Sequence, residues 1–372
     1  MKLKQRVDDG QLVRLVDGWY EIEDDGHTRS MPVLHYHSRT EDGEYRHFEV
    51  EGYRPYFFIA EDDVSGEDLQ ALDADRRVIS VERADRTGVD RAETDIDLIK
   101  VTVEKPWEVA QLRGEFDRTW EADVRFDDRF LIDRGVTSYC RIPEGDQRLQ
   151  ADDVAAADMD DVDSEIDPRV AFWDIEVQAD EFPEPKSPTY PVTAVTLYDS
   201  YDECYEAFVL RNDEWSSEPT VDVETTYFDD ERALIRAVVS WITDVRPDLL
   251  SGWNSNTFDW PYFVNRAHYL DEMAVKQISP TRNVDEHENK GRWVNGDVTG
   301  VHLFDLLEGY KKSQYTELKS FSLEDVAEEE TDIKKLDVDE QSAWLDDPES
   351  FVEYNIRDVE ACVAINEEVN LV

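Results

Sequence analysis

The sequence predicts an α/β and α+β chain in two folded parts: a β-rich α+β region over residues 1–150, and a mixed sheet flanked by helices over 168–372. Three features point to it. The first part opens as short strands broken by Asp/Gly turns, as in "GWYEIEDDGHT" and "HFEVEGYRPYFFIA". In the second part strands come first and then alternate with helical patterns, the signature of a mixed sheet covered by helices. Between them "ADDVAAADMDDVDSEID", residues 151–167, is acidic and poor in large apolar side chains, which marks it as a linker.

After its opening strands, the first part continues with a helix near "EDLQALDAD" and strands at "VISVERA" and "IDLIKVTVE". A helix opened by Pro106 in "EKPWEVAQLRGEF" and the stretch "ADVRFDDRFLIDRG" follow. The second part begins with strands at "VAFWDIEV", "VTAVTLYD" and "EAFVL". In "DERALIRAVVSWITDV" the apolar residues Leu234, Ile235, Val238, Val239 and Ile242 repeat at helical spacing. An apolar strand, "DLLSGWN", a helix beginning near Pro261 and a strand, "VHLFDL", come next. Helices at "LKSFSLEDVAEE" and "PESFVEYNIRDVEACVAINEEV" complete the order.

With 39 basic against 90 acidic residues the net charge is −51, and the acid is spread along the chain instead of being gathered in one tail. Such a surface suits a cytosol of molar salt, as in a halophilic archaeon, where the Debye length falls to about 3 Å and self-repulsion is screened. In that setting a high acidic charge does not argue against a nucleic-acid substrate. Cys140, Cys204 and Cys362 are odd in number and far apart, so they imply neither a disulfide framework nor a metal-binding pair, and read as small buried residues. No apolar run reaches the ~20 residues of a membrane span, and a soluble, cytoplasmic protein is expected.

Acidic residues recur where burial is expected. In "FWDIEV" the alternation of a strand puts Asp174 and Glu176 on one face and Trp173, Ile175 and Val177 on the other. Two like charges on one face repel unless a proton or a cation lies between them, so this face is either open solvent or a metal site. In "SGWNSNTFDWPYF", Asp259 precedes Pro261, and capping a helix is the commoner role for an Asp so placed. In "EYNIRDVEA", Tyr354 and Asp358 are four apart and share a helix face with Phe351, Ala361 and Ile365. Asp358 alone reads equally well as an edge charge paired with an arginine.

Taken together and in this order, Asp-x-Glu on a strand, Asn-x(4)-Asp entering a helix and Tyr-x(3)-Asp on a later helix resemble the three exonuclease motifs of family B DNA polymerases, archaeal type. They stand here as "DIE", "NSNTFD" with Asn254 and Asp259, and "YNIRD" with Tyr354 and Asp358. "GYRPYFF", "RFLIDRGV", "DLLSGWNSNTFDWPYFVNRA" and "LKSFSLEDVA" are also similar to the N-terminal and proofreading regions of that family, so the resemblance covers nearly the whole chain. The polymerase signatures "SLYP", "NSxYG" and "YxDTD" are not in the sequence, and polymerisation by this chain alone is not expected. The family's template-uracil pocket is not carried over, because "TDIDLIK" places Asp95 and Asp97 where an apolar lining is needed.

The resemblance implies a ribonuclease H-like fold for 168–372, in which Asp174, Glu176, Asp259 and Asp358 converge as ligands of two ions, Mg²⁺ or Mn²⁺. Hard oxygen donors suit these cations, and a pair about 4 Å apart can clamp an in-line phosphoryl displacement. By the same resemblance the Tyr354 hydroxyl orients the attacking water and Asn254 positions substrate. The substrate implied is the 3′ end of single-stranded DNA or of a primer-template, hydrolysed 3′→5′ in proofreading. A separate polymerase subunit or a sliding clamp is the implied partner. Phe258 and Trp260 are candidates to stack on a terminal base, or parts of the core. Lys311, Lys312 and Lys319 in "KKSQYTELK" read either as phosphate contacts or as a solvated helix end. His35 and His37 in "HYH" share a strand face and read as a surface pair; Asp305 in "HLFDLL" reads as structural. The competing function class is a DNA-binding or assembly fragment without catalysis, and a ribonuclease of the same fold is a third reading.

Overall fold

The computed structural model describes residues 10–24, 30–89, 95–157, 165–284, 287–289, 292–294, 298–314, 320–334, 336 and 343–372. The chain divides into two compact units, Met1–Ile166 and Asp167–Val372.

In the first unit β1 (Gln11–Asp24), β2 (Ser30–Thr40) and β3 (Tyr45–Glu51) form an antiparallel meander. There follow β4 (Tyr56–Ala60), α1 (Gly66–Asp73), β5 (Val78–Val89), β6 (Asp95–Val103), α2 (Pro106–Leu112), β7 (Thr119–Trp120), α3 (Phe126–Arg134), β8 (Tyr139–Ile142), β9 (Arg148–Gln150) and β10 (Ala155–Ala156). Six of these strands make one sheet, ordered β10-β8-β1-β2-β3-β9, and four another, ordered β5-β6-β4-β7. Local sequence sets the helix ends. Ser65 and Asp68 form a reciprocal capping box at the start of α1, Pro106 opens α2, and Gly135 at φ 68° stops α3. The acidic stretch after residue 150 enters the first unit as a short turn, Ala151–Asp153, and as β10 paired to β8. Val154 lies in the core beside Phe126 and Phe130; residues 158–164 fall outside the described residues.

His35 and His37 are a correction to the surface reading, because both are 7 % exposed. Strand register explains it. Trp19 stands opposite His35 across β1 and β2, and His47 opposite His37 across β2 and β3, so partners distant in sequence roof the face. The Trp19 ring lies parallel to His35 at 5.0 Å and edge-on to His37 at 4.7 Å, while His35 Nδ1 is 3.2 Å from His47 Nε2. Burial pushes the His35 imidazole below its ordinary value, against the nearby charges of Glu21, Glu49 and Glu23.

The second unit contains β11 (Val170–Val177), β12 (Val192–Asp199), β13 (Cys204–Leu210), β14 (Glu224–Phe228), α4 (Glu231–Val245), β15 (Leu249–Gly252) and α5 (Asp259–Tyr269). It continues with β16 (His287–Asn289), β17 (Arg292–Val294), β18 (His302–Asp305), α6 (Leu306–Ser313), α7 (Leu323–Glu330), α8 (Ala343–Asp346) and α9 (Pro348–Val369). Its six-stranded sheet is ordered β14-β13-β12-β11-β15-β18, with β11 antiparallel to β12 and parallel to β15. One face packs Ala171, Trp173 and Ile175 against Leu234, Val238 and Ile242 of α4 and Phe263 of α5. On the opposite face Val170 and Phe172 meet Val359, Cys362 and Val363 of α9.

Three sequence readings are revised here. The helix read from "LKSFSLEDVAEE" starts only at Leu323, because the Ser322 hydroxyl accepts the Asp325 N–H and fixes the start there. The helix placed near Pro261 opens two residues earlier, at Asp259. Of the three cysteines, Cys204 is exposed, at the first position of β13, while Cys140 and Cys362 are buried.

Candidate active site

Strand alternation builds the floor of the site. On β11 the face that carries Val170 and Phe172 beneath α9 continues with Asp174 and Glu176, so these carboxylates emerge where the helix crosses the strand. The helix is started by Asp347, whose carboxylate accepts the Ser350 N–H, and by Pro348 in its first turn. Its buried face, with Phe351, Val352, Ile356 and Val359, lays it on the sheet and brings Asp358 over the strand. One carboxylate oxygen from each of Asp174, Glu176 and Asp358 lies within 4.8 Å of the other two. Three half-buried carboxylates in that space repel unless a cation or protons sit among them, and an all-oxygen donor set fits a hard divalent cation.

Asp259 stands beside this trio without being one of it. It is the first residue of α5 and 4 % exposed, and its Oδ1 accepts the Ile175 N–H at 3.2 Å. It does not cap the helix in the way its sequence position suggests, since the carboxylate turns to strand β11. Burial pushes its carboxyl up to about 7, with the Asp305 charge adding to the rise and the Ile175 N–H opposing it. The Asp174 carboxyl is held well above its ordinary value by burial and then by the charges of Asp259, Asp358 and Glu176, with the Asn355 amide working against the rise. Burial, then the charges of Asp174 and Asp358, push the thiol of Cys362, beneath the site, well above its ordinary value, which favours the protonated form.

The motif residues around the carboxylates are placed unequally. Tyr354 and Asp358 share the wall of a hollow of about 20 Å³ with Leu323, Ala327, Ile333 and Arg357, room for about one water. Asn254 is exposed in a turn at φ 63°, where its side-chain oxygen accepts the Thr257 hydroxyl and its carbonyl accepts the N–H of Thr257 and Phe258. Phe258 is half-buried, its ring 5.5 Å from Tyr262 and 6.0 Å from Phe182, which is 80 % exposed. Trp260 is buried in the core against Trp173, so it has no face to offer a base. Asp305 caps α6 by accepting the Glu308 N–H and also takes the Asn256 N–H, ordering the loop before Asp259. Lys311 pairs with Glu308 at 3.3 Å, and Lys319 lies outside the described residues.

Two participants escaped the sequence reading. Asn355, fully buried on α9, donates from Nδ2 to Asp174 Oδ2 at 2.7 Å, and its Oδ1 accepts the hydroxyl of Thr196. Thr196 is the residue directly opposite Asp174 on β12. The available signal was a polar residue at a core position in each element, Asn in the apolar stripe of "FVEYNIRDVEA" and Thr within "VTAVTLYD".

Residues 117–326 match the family described as DNA polymerase family B, exonuclease domain; Tyr354 and Asp358 lie beyond that stretch. The chain is similar to the DNA-directed DNA polymerase of Enterobacteria phage T4, 33 % identical over 53 % of this chain and 25 % of that protein. It is also similar to DNA polymerase 2 of Aeropyrum pernix, 27 % identical over 85 % of this chain and 38 % of that protein. The fold matches the family B DNA polymerase of Pyrobaculum calidifontis with a TM-score of 0.73 at 21 % identity, over 96 % of this chain and 46 % of that one. The chain thus spans less than half the length of each of these proteins. By the family match and the fold, the chain belongs to the family B DNA polymerases, of which it carries the N-terminal and exonuclease regions.

Proposed function

We propose that this chain is a metal-dependent 3′→5′ DNA exonuclease that removes nucleotides from a frayed 3′ end, as in proofreading. The observation that carries this reading is the meeting of Asp174, Glu176 and Asp358 from two elements within 4.8 Å, in a chain of this family. With Asp259 they would hold two divalent ions, Mg²⁺ or Mn²⁺. Ions so held acidify a water and neutralise charge at a leaving oxygen. The chain supplies the rest. Tyr354, one helical turn before Asp358, directs its hydroxyl toward the attacking water; the loop carrying Asn254 guides the strand end; and the Phe258 and Phe182 rings offer faces to an unpaired base. The substrate is the 3′ end of single-stranded DNA or of a primer-template, and a polymerase subunit or sliding clamp is the proposed partner. Among the described residues no helix is long and apolar enough to cross a membrane, and we place the protein in a cytoplasm of high salt, where its charge of −51 is screened.

The test is digestion of 5′-labelled single-stranded DNA in molar KCl, with Mg²⁺, Mn²⁺ or EDTA. Shortening from the 3′ end that needs the ion supports the reading. A folded sample that binds the DNA and leaves it intact in every arm overturns it in favour of a DNA-binding or assembly fragment, and preferential digestion of RNA would reassign the substrate.

A further inference from the structure

We propose that Asn355 and Thr196 form a positioning relay that locks the Asp174 carboxylate in the orientation needed to hold a divalent ion. The inference rests on the exonuclease reading for its kinetic consequence, but its structural part stands on the hydrogen bonds alone. Asn355 Nδ2 donates to Asp174 Oδ2 at 2.7 Å, and the Thr196 hydroxyl donates to Asn355 Oδ1. Both Asn355 and Thr196 are fully buried, so the bond between them does not compete with solvent, and the bond to the half-buried Asp174 is shielded on the amide's side.

Each member constrains the next. An amide carries a donor end and an acceptor end of nearly equal size, and it serves an ionised carboxylate only with the NH₂ end. The acceptor-only Asp174 carboxylate selects that end, and the Thr196 hydroxyl, free to rotate, donates to the amide oxygen left on the other side and holds the plane of the amide. Strand pairing makes the relay compact, because Thr196 faces Asp174 directly across β11 and β12 while Asn355 descends from α9. Asp174 is thereby tied to the same helix that carries Asp358, three residues on, so the spacing between two members of the acidic trio is set by one buried amide. Such outer partners of metal-holding carboxylates typically change metal affinity or activity by roughly 10–100-fold when removed.

The test uses the full chain and the variants Asn355→Leu, Thr196→Val and Thr196→Ser. Bound Mn²⁺ is counted by electron paramagnetic resonance, and kcat and KM are measured on single-stranded DNA. Asn355→Leu keeps the γ-branched shape and removes the bond, at the cost of extra volume in a buried site; about a tenfold or larger loss of Mn²⁺ affinity is expected, with kcat falling and KM for DNA little changed. Thr196→Val, near in shape, is expected to shift both in the same direction by a smaller factor, and Thr196→Ser to restore them. A folded Asn355→Leu protein with wild-type Mn²⁺ affinity overturns the relay. Should Asn355→Leu not fold, wild-type Mn²⁺ affinity in Thr196→Val overturns it equally. Because Mn²⁺ binding is read without DNA, an inactive wild type that still binds Mn²⁺ in an Asn355-dependent way would refute the exonuclease reading and leave the relay standing.

Discussion

The carboxylate of Asp259 accepts the main-chain N–H of Ile175 at 3.2 Å, so a residue of α5 is stitched to β11 midway between Asp174 and Glu176. The bond gives Asp259 a fixed place at the edge of the acidic trio, and burial there pushes its carboxyl up to about 7 from an ordinary value of 3.8. A carboxyl whose folded-state pKa is raised adds stability that is fully present below its unfolded value and fades as pH rises through the folded one. In chelator, the stability of wild type relative to Asp259→Asn should therefore decline between pH 4 and pH 8. At the upper end the difference is on the order of 4 kcal/mol at most, since one pKa unit is about 1.4 kcal/mol. Calorimetry of both proteins at pH 5 and pH 8 in EDTA checks it; an unchanged difference in Tm would remove the electrostatic account of Asp259.

Asp174→Ala should leave no detectable nucleotide release, while its Tm in chelator stays near that of wild type, the relief of repulsion offsetting the loss of a partner for the buried Asn355 amide. The substitution removes one of several mutually repelling carboxylates and little core volume. Undiminished turnover in this variant would sink the assignment of Asp174 as a metal-holding residue, and a large drop in Tm would show that its role is structural.

Gly252 admits a close approach between β15 and β11. A Cβ at that position would stand 2.5 Å from the Trp173 carbonyl oxygen and 3.0 Å from the Ser255 Cβ, so the backbone must shift to accept one. Gly252→Ala should cost about 1–3 kcal/mol in urea unfolding, as overpacking does, and lower turnover because Trp173 immediately precedes Asp174. Wild-type stability and turnover together would show that the strands yield without cost.

The charge of −51 makes stability depend on salt. Raising KCl from 0.1 M to 1 M shortens the Debye length from about 10 Å to about 3 Å and damps repulsion among surface carboxylates. Tm should rise steadily over that range and beyond, followed by circular dichroism, and a flat or falling Tm would contradict a surface fitted to high salt.

Much of the second unit was legible because its signals are local. The apolar period of "DERALIRAVVSWITDV" and the alternation in "VAFWDIEV" decide helix and strand, and the latter already puts Asp174 and Glu176 on one side. Where the signal was not local it misled. The face of "HYH" looked solvated until Trp19 and His47 arrived from neighbouring strands. Trp260 looked able to meet a base, and its burial against Trp173 depends on how α5 packs on the sheet.

The sequence by itself determined which residues this protein can use: two carboxylates on one strand face, a third on a helix one turn after Tyr354, and an Asp ahead of Pro261. Those choices follow from periods of two and 3.6 residues, which operate within a single element. Tertiary structure decided how they are used. It brought Asp358 within 4.8 Å of Asp174 and Glu176, set Asp259 against the Ile175 N–H outside that trio, and hung Asp174 from Asn355 beneath Thr196. Those relations join residues as many as 181 positions apart, and they are settled by the packing of α9 and α5 on one sheet, which the pattern within any one element does not encode.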